Sequence, residues 1–119
     1  MLIVEVEGEH SFVFQVRNRE IRQGGEISLP GGRYELEDEN TRNTAIRETI
    51  EEMGISEEDI EIIGKLDSII SHGNIFVDSY VGYTSKHPDE FKINKSEVES
   101  IFTIPIDYFI ENRPVMHEI

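Results

Sequence analysis

Residues Gly31 to Ile55, GGRYELEDENTRNTAIRETIEEMGI, constrain the fold more than any other stretch of the chain. A Pro-Gly-Gly turn leads into an acidic loop and then into a segment of helical character ending at Gly54. Asn40 and Thr41 are both competent N-caps, and a glycine is the common residue just past a helix C-terminus. Residues three and four apart share a helix face. Ile46, Thr49, Ile50 and Met53 follow the i, i+3, i+4, i+7 pattern and are expected to form the buried stripe. Glu48, Glu51 and Glu52 are expected to project together from the opposite, solvated side.

Like charges gathered on one face repel unless something neutralises them. Carboxylate oxygens are hard ligands, suited to Mg²⁺, Mn²⁺ or Ca²⁺ rather than to a soft metal. A Glu-rich face that is merely solvated is the plainer alternative, and the residues taken pairwise do not decide between the two.

The full string does more. It resembles the signature of the Nudix hydrolases, G-x5-E-x7-R-E-U-x-E-E-x-G-U with U apolar. Counted from Gly32 the chain reads G-x6-E-x7-R-E-T-x-E-E-x-G-I, with Glu39 in the acidic position, one extra loop residue, and Thr49 in place of the first U. Read as G-x5-D-x8-R, with Asp38 in that position, the loop is similar to the coenzyme A pyrophosphatase branch. Upstream, RNREIRQGGEISLPGG resembles that branch's R-S-x3-R-x3-G-x3-F-P-G-G. Arg17, Arg22, Gly25, Pro30, Gly31 and Gly32 match, Asn18 replaces Ser, Leu29 replaces Phe, and one residue is missing before Gly25. The late string FKINKSEV is also similar to the corresponding part of that branch.

The resemblance implies an α+β fold of the Nudix type, an α/β/α sandwich with a mixed sheet, formed by one domain over residues 1–119. It implies divalent-metal-dependent hydrolysis of a pyrophosphate bond in a nucleoside diphosphate linked to another group, with Mg²⁺ or Mn²⁺ as cofactor. Glu48, Glu51 and Glu52 are the implied metal ligands, and Glu51, Glu52, Glu97 and Arg47 the catalytic set. Arg47, being cationic, is expected to hold a glutamate or the acidic loop rather than a metal. Glu97 or a helix glutamate is the expected base. Arg17, Arg22 and Arg33, with Gly31 and Gly32, are the expected substrate contacts, since a guanidinium offers phosphate paired hydrogen bonds. Coenzyme A or a derivative is the first substrate. ADP-ribose or a nucleoside triphosphate, and a sensor that binds nucleotide without turnover, are the alternatives.

Composition sets outer limits. A chain of 119 residues suits a single core. Its net charge of −14 disfavours a broad nucleic-acid interface. Against that background, four of the seven arginines fall between Arg17 and Arg33. Solubility and loop ion pairs are the bland explanation for them, phosphate contact the sharper one. The absence of cysteine removes thiol chemistry, and no run of about 18 apolar residues would span a membrane. The expected setting is cytoplasmic. The expected partner is a small nucleotide or coenzyme A-type molecule, with no nucleic acid, no membrane, and a homodimer left open.

Strands are expected at Leu2–Val6 and Phe12–Val16 around Gly8, briefly at Ile27–Leu29, and at Ile60–Ile63, Leu66–Ile70 and Ile75–Gly82, while within Ser96–Pro105 Glu97 and Glu99 read plainly as outward strand residues. A polar loop spans Lys86–Asn94, and a short helix covers Ile106–Glu111. His72 is a loop histidine without a local partner. No phosphate-binding GxxxxGK[ST] loop, HExxH zinc helix, EF-hand loop or nucleophile elbow is present.

Overall fold

The computed structural model describes residues 1–31, 41–70 and 75–112, with the backbone alone at residues 41, 66–70 and 75–79. Among the described residues, six strands and two helices follow in the order β1 (Leu2–Val6), β2 (Glu9–Arg17), β3 (Ile27–Ser28), α1 (Thr41–Met53), β4 (Glu61–Ile70), β5 (Ile75–Tyr83), β6 (Val98–Pro105) and α2 (Ile106–Glu111). Short 3₁₀ turns sit at Glu57–Asp59 and Pro88–Glu90.

The β1–β2 hairpin closes through Glu7 and Gly8, both with positive φ (52° and 81°), and Val6 pairs with Glu9. That is the two-residue turn whose twist matches its strands. β2 is the hub of the sheet. It pairs antiparallel with β1 through its first half, with β3 at Gln15 and Val16, and with β6 from Ser11 to Arg17. A strand has two edges, so β1 and β3 divide one while β6 takes the other. β5 joins β1 in parallel through Leu2–Gly82 and Ile3–Tyr83, and β4 closes the sheet antiparallel to β5. The two expected strands between Ile60 and Ile70 are one strand, bent by a register shift between Ile62 and Gly64.

Side-chain alternation along β2 assigns the two faces. Ser11, Val13 and Gln15 are buried on the side of α1. Phe12 and Phe14 point the other way, where Phe12 meets Phe109 of α2 with ring centroids 5.7 Å apart and Phe14 stacks on Phe102 at 5.3 Å. The helices therefore lie on opposite faces, as the α/β/α expectation has it. The core under α1 is Leu2, Val4, Val13, Met53, Ile55 and Val98, flanked by Val6, Ile60, Phe91, Ile93 and Ile101. Among the described residues no helix is long and apolar enough to cross a membrane.

One expectation about α1 is corrected. Its buried residues are Ala45, Ile46, Thr49, Glu52 and Met53, whereas Ile50 is only half-buried. At about 100° per residue, Thr49 is the centre of the inward stripe, and Glu52 lies about 60° from it while Ile50 lies about 100° away. Glu52 is thus nearer the core than Ile50, and the three glutamates do not share one solvated side.

Candidate active site

The burial of Glu52 organises the site. A buried carboxylate is costly unless hydrogen-bonded, and Glu52, only 7% exposed, has two donors from different elements. Gln15 Nε2 on β2 donates to Oε2 at 2.6 Å, and the Gly31 N–H donates to Oε1 at 3.0 Å. Gln15 Nε2 also reaches Ser28 Oγ on β3 at 3.3 Å. Glu52 thereby fastens the Pro30–Gly31 turn and the sheet to α1. Gly31, with φ 103°, holds a conformation that a side chain would strain. The Met1 nitrogen ties the same turn to β5, donating to the Pro30 and Tyr80 carbonyls, each at 3.2 Å.

Glu48 and Glu51 lie progressively further out. Arg47 reaches both along the helix, Nη1 to Glu51 Oε1 at 3.4 Å and Nη2 to Glu48 Oε1 at 3.7 Å. The Glu48 carboxyl is pushed above its ordinary pKa, first by partial burial and then by the Glu52 charge; Arg47 opposes the rise, while Glu51 and Glu97 add to it. Glu48 therefore lies within electrostatic reach of Glu51, Glu52 and Glu97.

Glu97 reaches this neighbourhood on a loop clamped at three points. The Asn94 N–H donates to the Glu52 carbonyl at 3.0 Å, and the Asn94 carbonyl accepts from the N–H groups of Glu97 and Val98 at 3.0 and 2.8 Å. On the other flank the Asn18 N–H donates to the Glu97 carbonyl at 2.9 Å and Asn18 Nδ2 to the Lys95 carbonyl at 2.8 Å. Gly54 (φ 67°) lets the loop come close, because a Cβ there would collide with the Lys92 carbonyl.

The arginine segment follows β2 directly. Arg17 Nε donates to the Arg22 carbonyl at 2.5 Å, and its backbone is paired with Glu26 and Gly25, so residues 17–26 form a closed loop beside the Glu97 loop. The Arg22 side chain is exposed, and Arg19 pairs with Glu99 at 3.3 Å. Gly32, Arg33, Asp38, Glu39, Asn40 and His72 lie outside the described residues. A cleft of about 390 Å³ borders the outer flank of α1, with Ile46, Ile50, Arg47 and Glu51 in its wall. It shares Arg47 and Glu51 with the carboxylate group but neither Glu48 nor Glu52, which explains why Ile50 is only half-covered.

The donor set is all hard oxygen, which fits a divalent cation such as Mg²⁺ or Mn²⁺. Among the described residues no three acidic or histidine side chains are gathered tightly enough to share one cation in this conformation. The carboxylates instead take separate partners, with Arg47 shared by Glu48 and Glu51, and Gln15 with Gly31 serving Glu52. An ionised carboxylate has about four lone-pair sites, so Glu52 keeps acceptor capacity beyond these two bonds. Gln15 Oε1 is buried with no hydrogen-bond partner among the described residues, leaving an acceptor at the edge of the group.

Three residues of this arrangement, Gln15, Asn18 and Asn94, were not marked by the sequence as site residues. Gln15 had a readable signal, the one polar residue within the apolar run Phe12–Val16. The asparagines had none, because their contacts join segments distant in sequence.

The chain matches the NUDIX domain over residues 1–118. Nudix hydrolase 3 of Caenorhabditis elegans is 40% identical over 113 residues, which cover 92% of this chain and 47% of that protein. A peroxisomal coenzyme A diphosphatase of the same nematode is 38% identical over 100 residues, 82% of this chain and 42% of that one. The peroxisomal coenzyme A diphosphatase of Mus musculus is 31% identical over 104 residues, 87% and 44% respectively. The chain spans a little under half the length of these relatives. Among solved structures, a C. elegans Ap4A hydrolase binary complex superposes with a TM-score of 0.65 at 19% identity, over 92% of this chain and 79% of that one. The Nudix hydrolase RenU of M. smegmatis gives 0.71 at 17% identity, over 93% and 70%. These two show a shared fold. With the domain match running almost end to end and relatives near 40% identity, the chain belongs to the Nudix hydrolase family.

Proposed function

We propose that residues 1–119 act as one domain that hydrolyses a pyrophosphate bond in a nucleoside diphosphate linked to another group, with Mg²⁺ or Mn²⁺, and that coenzyme A or a derivative is the substrate. The observation that carries this reading is the seating of the Glu97 loop against α1, where the Asn94 N–H donates to the Glu52 carbonyl at 3.0 Å, and Glu97 adds to the rise of the Glu48 pKa. Relatives described as coenzyme A diphosphatases support the substrate class.

Each part of the site then has a task. Glu48, Glu51 and Glu52 would hold the divalent cation, which when bound offsets the charge of the diphosphate and makes water a better nucleophile. Arg47 restrains Glu51 and Glu48 on the helix surface. Glu97, exposed and set on a clamped loop, is the candidate base. Attack of water on one phosphorus forms a P–O bond, the bridging P–O bond breaks, the second phosphate leaves with the bridging oxygen, and the water's proton passes to a carboxylate. Arg17 and Arg22, with Arg33, are assigned to the substrate's phosphates, beside the loop that carries the base.

The test is product analysis with Mg²⁺ or Mn²⁺ across coenzyme A, ADP-ribose, dinucleoside polyphosphates and nucleoside triphosphates. Coenzyme A is expected to yield 4′-phosphopantetheine and 3′,5′-ADP, with turnover lost in EDTA. Turnover confined to another substrate would move the arginines to a different ligand. Absence of turnover on every substrate would refute the hydrolase assignment.

A further inference from the structure

Gln15 occupies an unusual position for an amide. It is 5% exposed on the central strand β2, and its neighbours at the same inward register are Ser11 and Val13. Its Nε2 is engaged by Glu52 and Ser28, at 2.6 and 3.3 Å. The orientation is determined by that contact, because turning the amide over would set its oxygen against the Glu52 carboxylate. Oε1 is left buried and without a partner among the described residues. A buried acceptor left unmade costs about 1–3 kcal/mol, and holding the Glu52 carboxylate through Nε2 accounts for only one end of the amide. The amide is explained if its two ends face two different things: a carboxylate that must be held, and a donor that enters with a ligand.

We infer that Gln15 is a positioning residue of the carboxylate site. Its Nε2 fixes the Glu52 carboxylate in the orientation that receives a divalent cation, and its Oε1 accepts a hydrogen bond from water entering with that cation. The inference rests on the reading of Glu48, Glu51 and Glu52 as a cation site. Outer partners that orient metal-binding side chains commonly change metal affinity by about 10–100-fold when removed.

The experiment is Mn²⁺ binding to the full chain, followed by loss of the free-ion electron paramagnetic resonance signal, for wild type and Gln15→Met, with melting temperatures in EDTA alongside. Gln15→Met keeps the volume and removes both hydrogen-bonding ends. The expected result is a Kd raised about 10–100-fold, with a metal-free melting temperature lowered by the loss of one donor to the buried Glu52 carboxylate. A Kd within about twofold of wild type, or a fall in melting temperature with affinity unchanged, overturns the inference while leaving the cation site standing. If wild type itself takes up no Mn²⁺, both readings fall. Should Gln15→Met not fold, Gln15→Asn, which withdraws the amide by one methylene, is expected to weaken Mn²⁺ in the same range, and unchanged affinity there overturns the inference equally.

Discussion

Gly54→Ala separates two explanations of the glycine that closes α1. If Gly54 is only a helix terminus in the left-handed region, alanine costs about 1–2 kcal/mol of backbone strain. The structure adds a second cost, because the new Cβ would strike the Lys92 carbonyl and push the 91–94 segment outward. Displacing that segment disturbs the bond from the Asn94 N–H to the Glu52 carbonyl, worth about 1 kcal/mol, and adds about 1–3 kcal/mol of overpacking. The sum is about 3–6 kcal/mol. The assay is urea unfolding followed by far-ultraviolet circular dichroism, with stability read from the midpoint at unchanged m. Asparagine sharpens the comparison, since it tolerates positive φ better than alanine but carries the same Cβ. Gly54→Asn is therefore expected to be nearly as damaging as Gly54→Ala. A loss of about 1 kcal/mol for alanine, with asparagine milder still, would refute the close crossing with Lys92.

The corrected face of α1 gives a second test. Met53→Ala is expected to cost about 2–5 kcal/mol, because Met53 is fully buried in the core, and Ile50→Ala clearly less; equal losses in denaturant melts would restore the original assignment of Ile50 to the core. A third prediction concerns pH. Burial and Glu52 hold the folded Glu48 pKa above its ordinary value of 4.5, so folded protein keeps this proton more tightly than unfolded protein. Without metal, the stability tied to that proton is present below 4.5 and lost as pH rises through the raised value. Glu48→Gln in EDTA should then melt above wild type at neutral pH, with the gap shrinking on acidification. A gap that does not change with pH would contradict the electrostatic placement of Glu48.

The elements that were legible in the sequence are those with strong local signals. The Glu7–Gly8 hairpin, the span of α1 from Thr41 to Gly54, and the α2 segment all follow from turn, cap and periodicity cues. The burial of Glu52 was not legible from residue type, because a glutamate on a charged helix reads as exposed. It is buried because β2 and the Gly31 turn provide donors across gaps of 37 and 21 residues. The clamp on Glu97 was hidden for the same reason, since Asn18 and Lys95 stand 77 residues apart. Helical spacing alone put Ile50 in the stripe, and only the direction of the sheet shows that the stripe centres on Thr49.

The Asn18 clamp also bears on how such a protein can change its preferences over evolutionary time. The segment carrying Arg17 and Arg22 and the segment carrying Glu97 are stitched together by both the backbone and the side chain of Asn18. An insertion or exchange within 17–26 would shift Glu97 along with the arginines. On the proposed roles of Arg17, Arg22 and Glu97, ligand choice and proton transfer would then be inherited as one module, and a loop transplanted from a relative should carry its own counterpart of Lys95–Val98 with it.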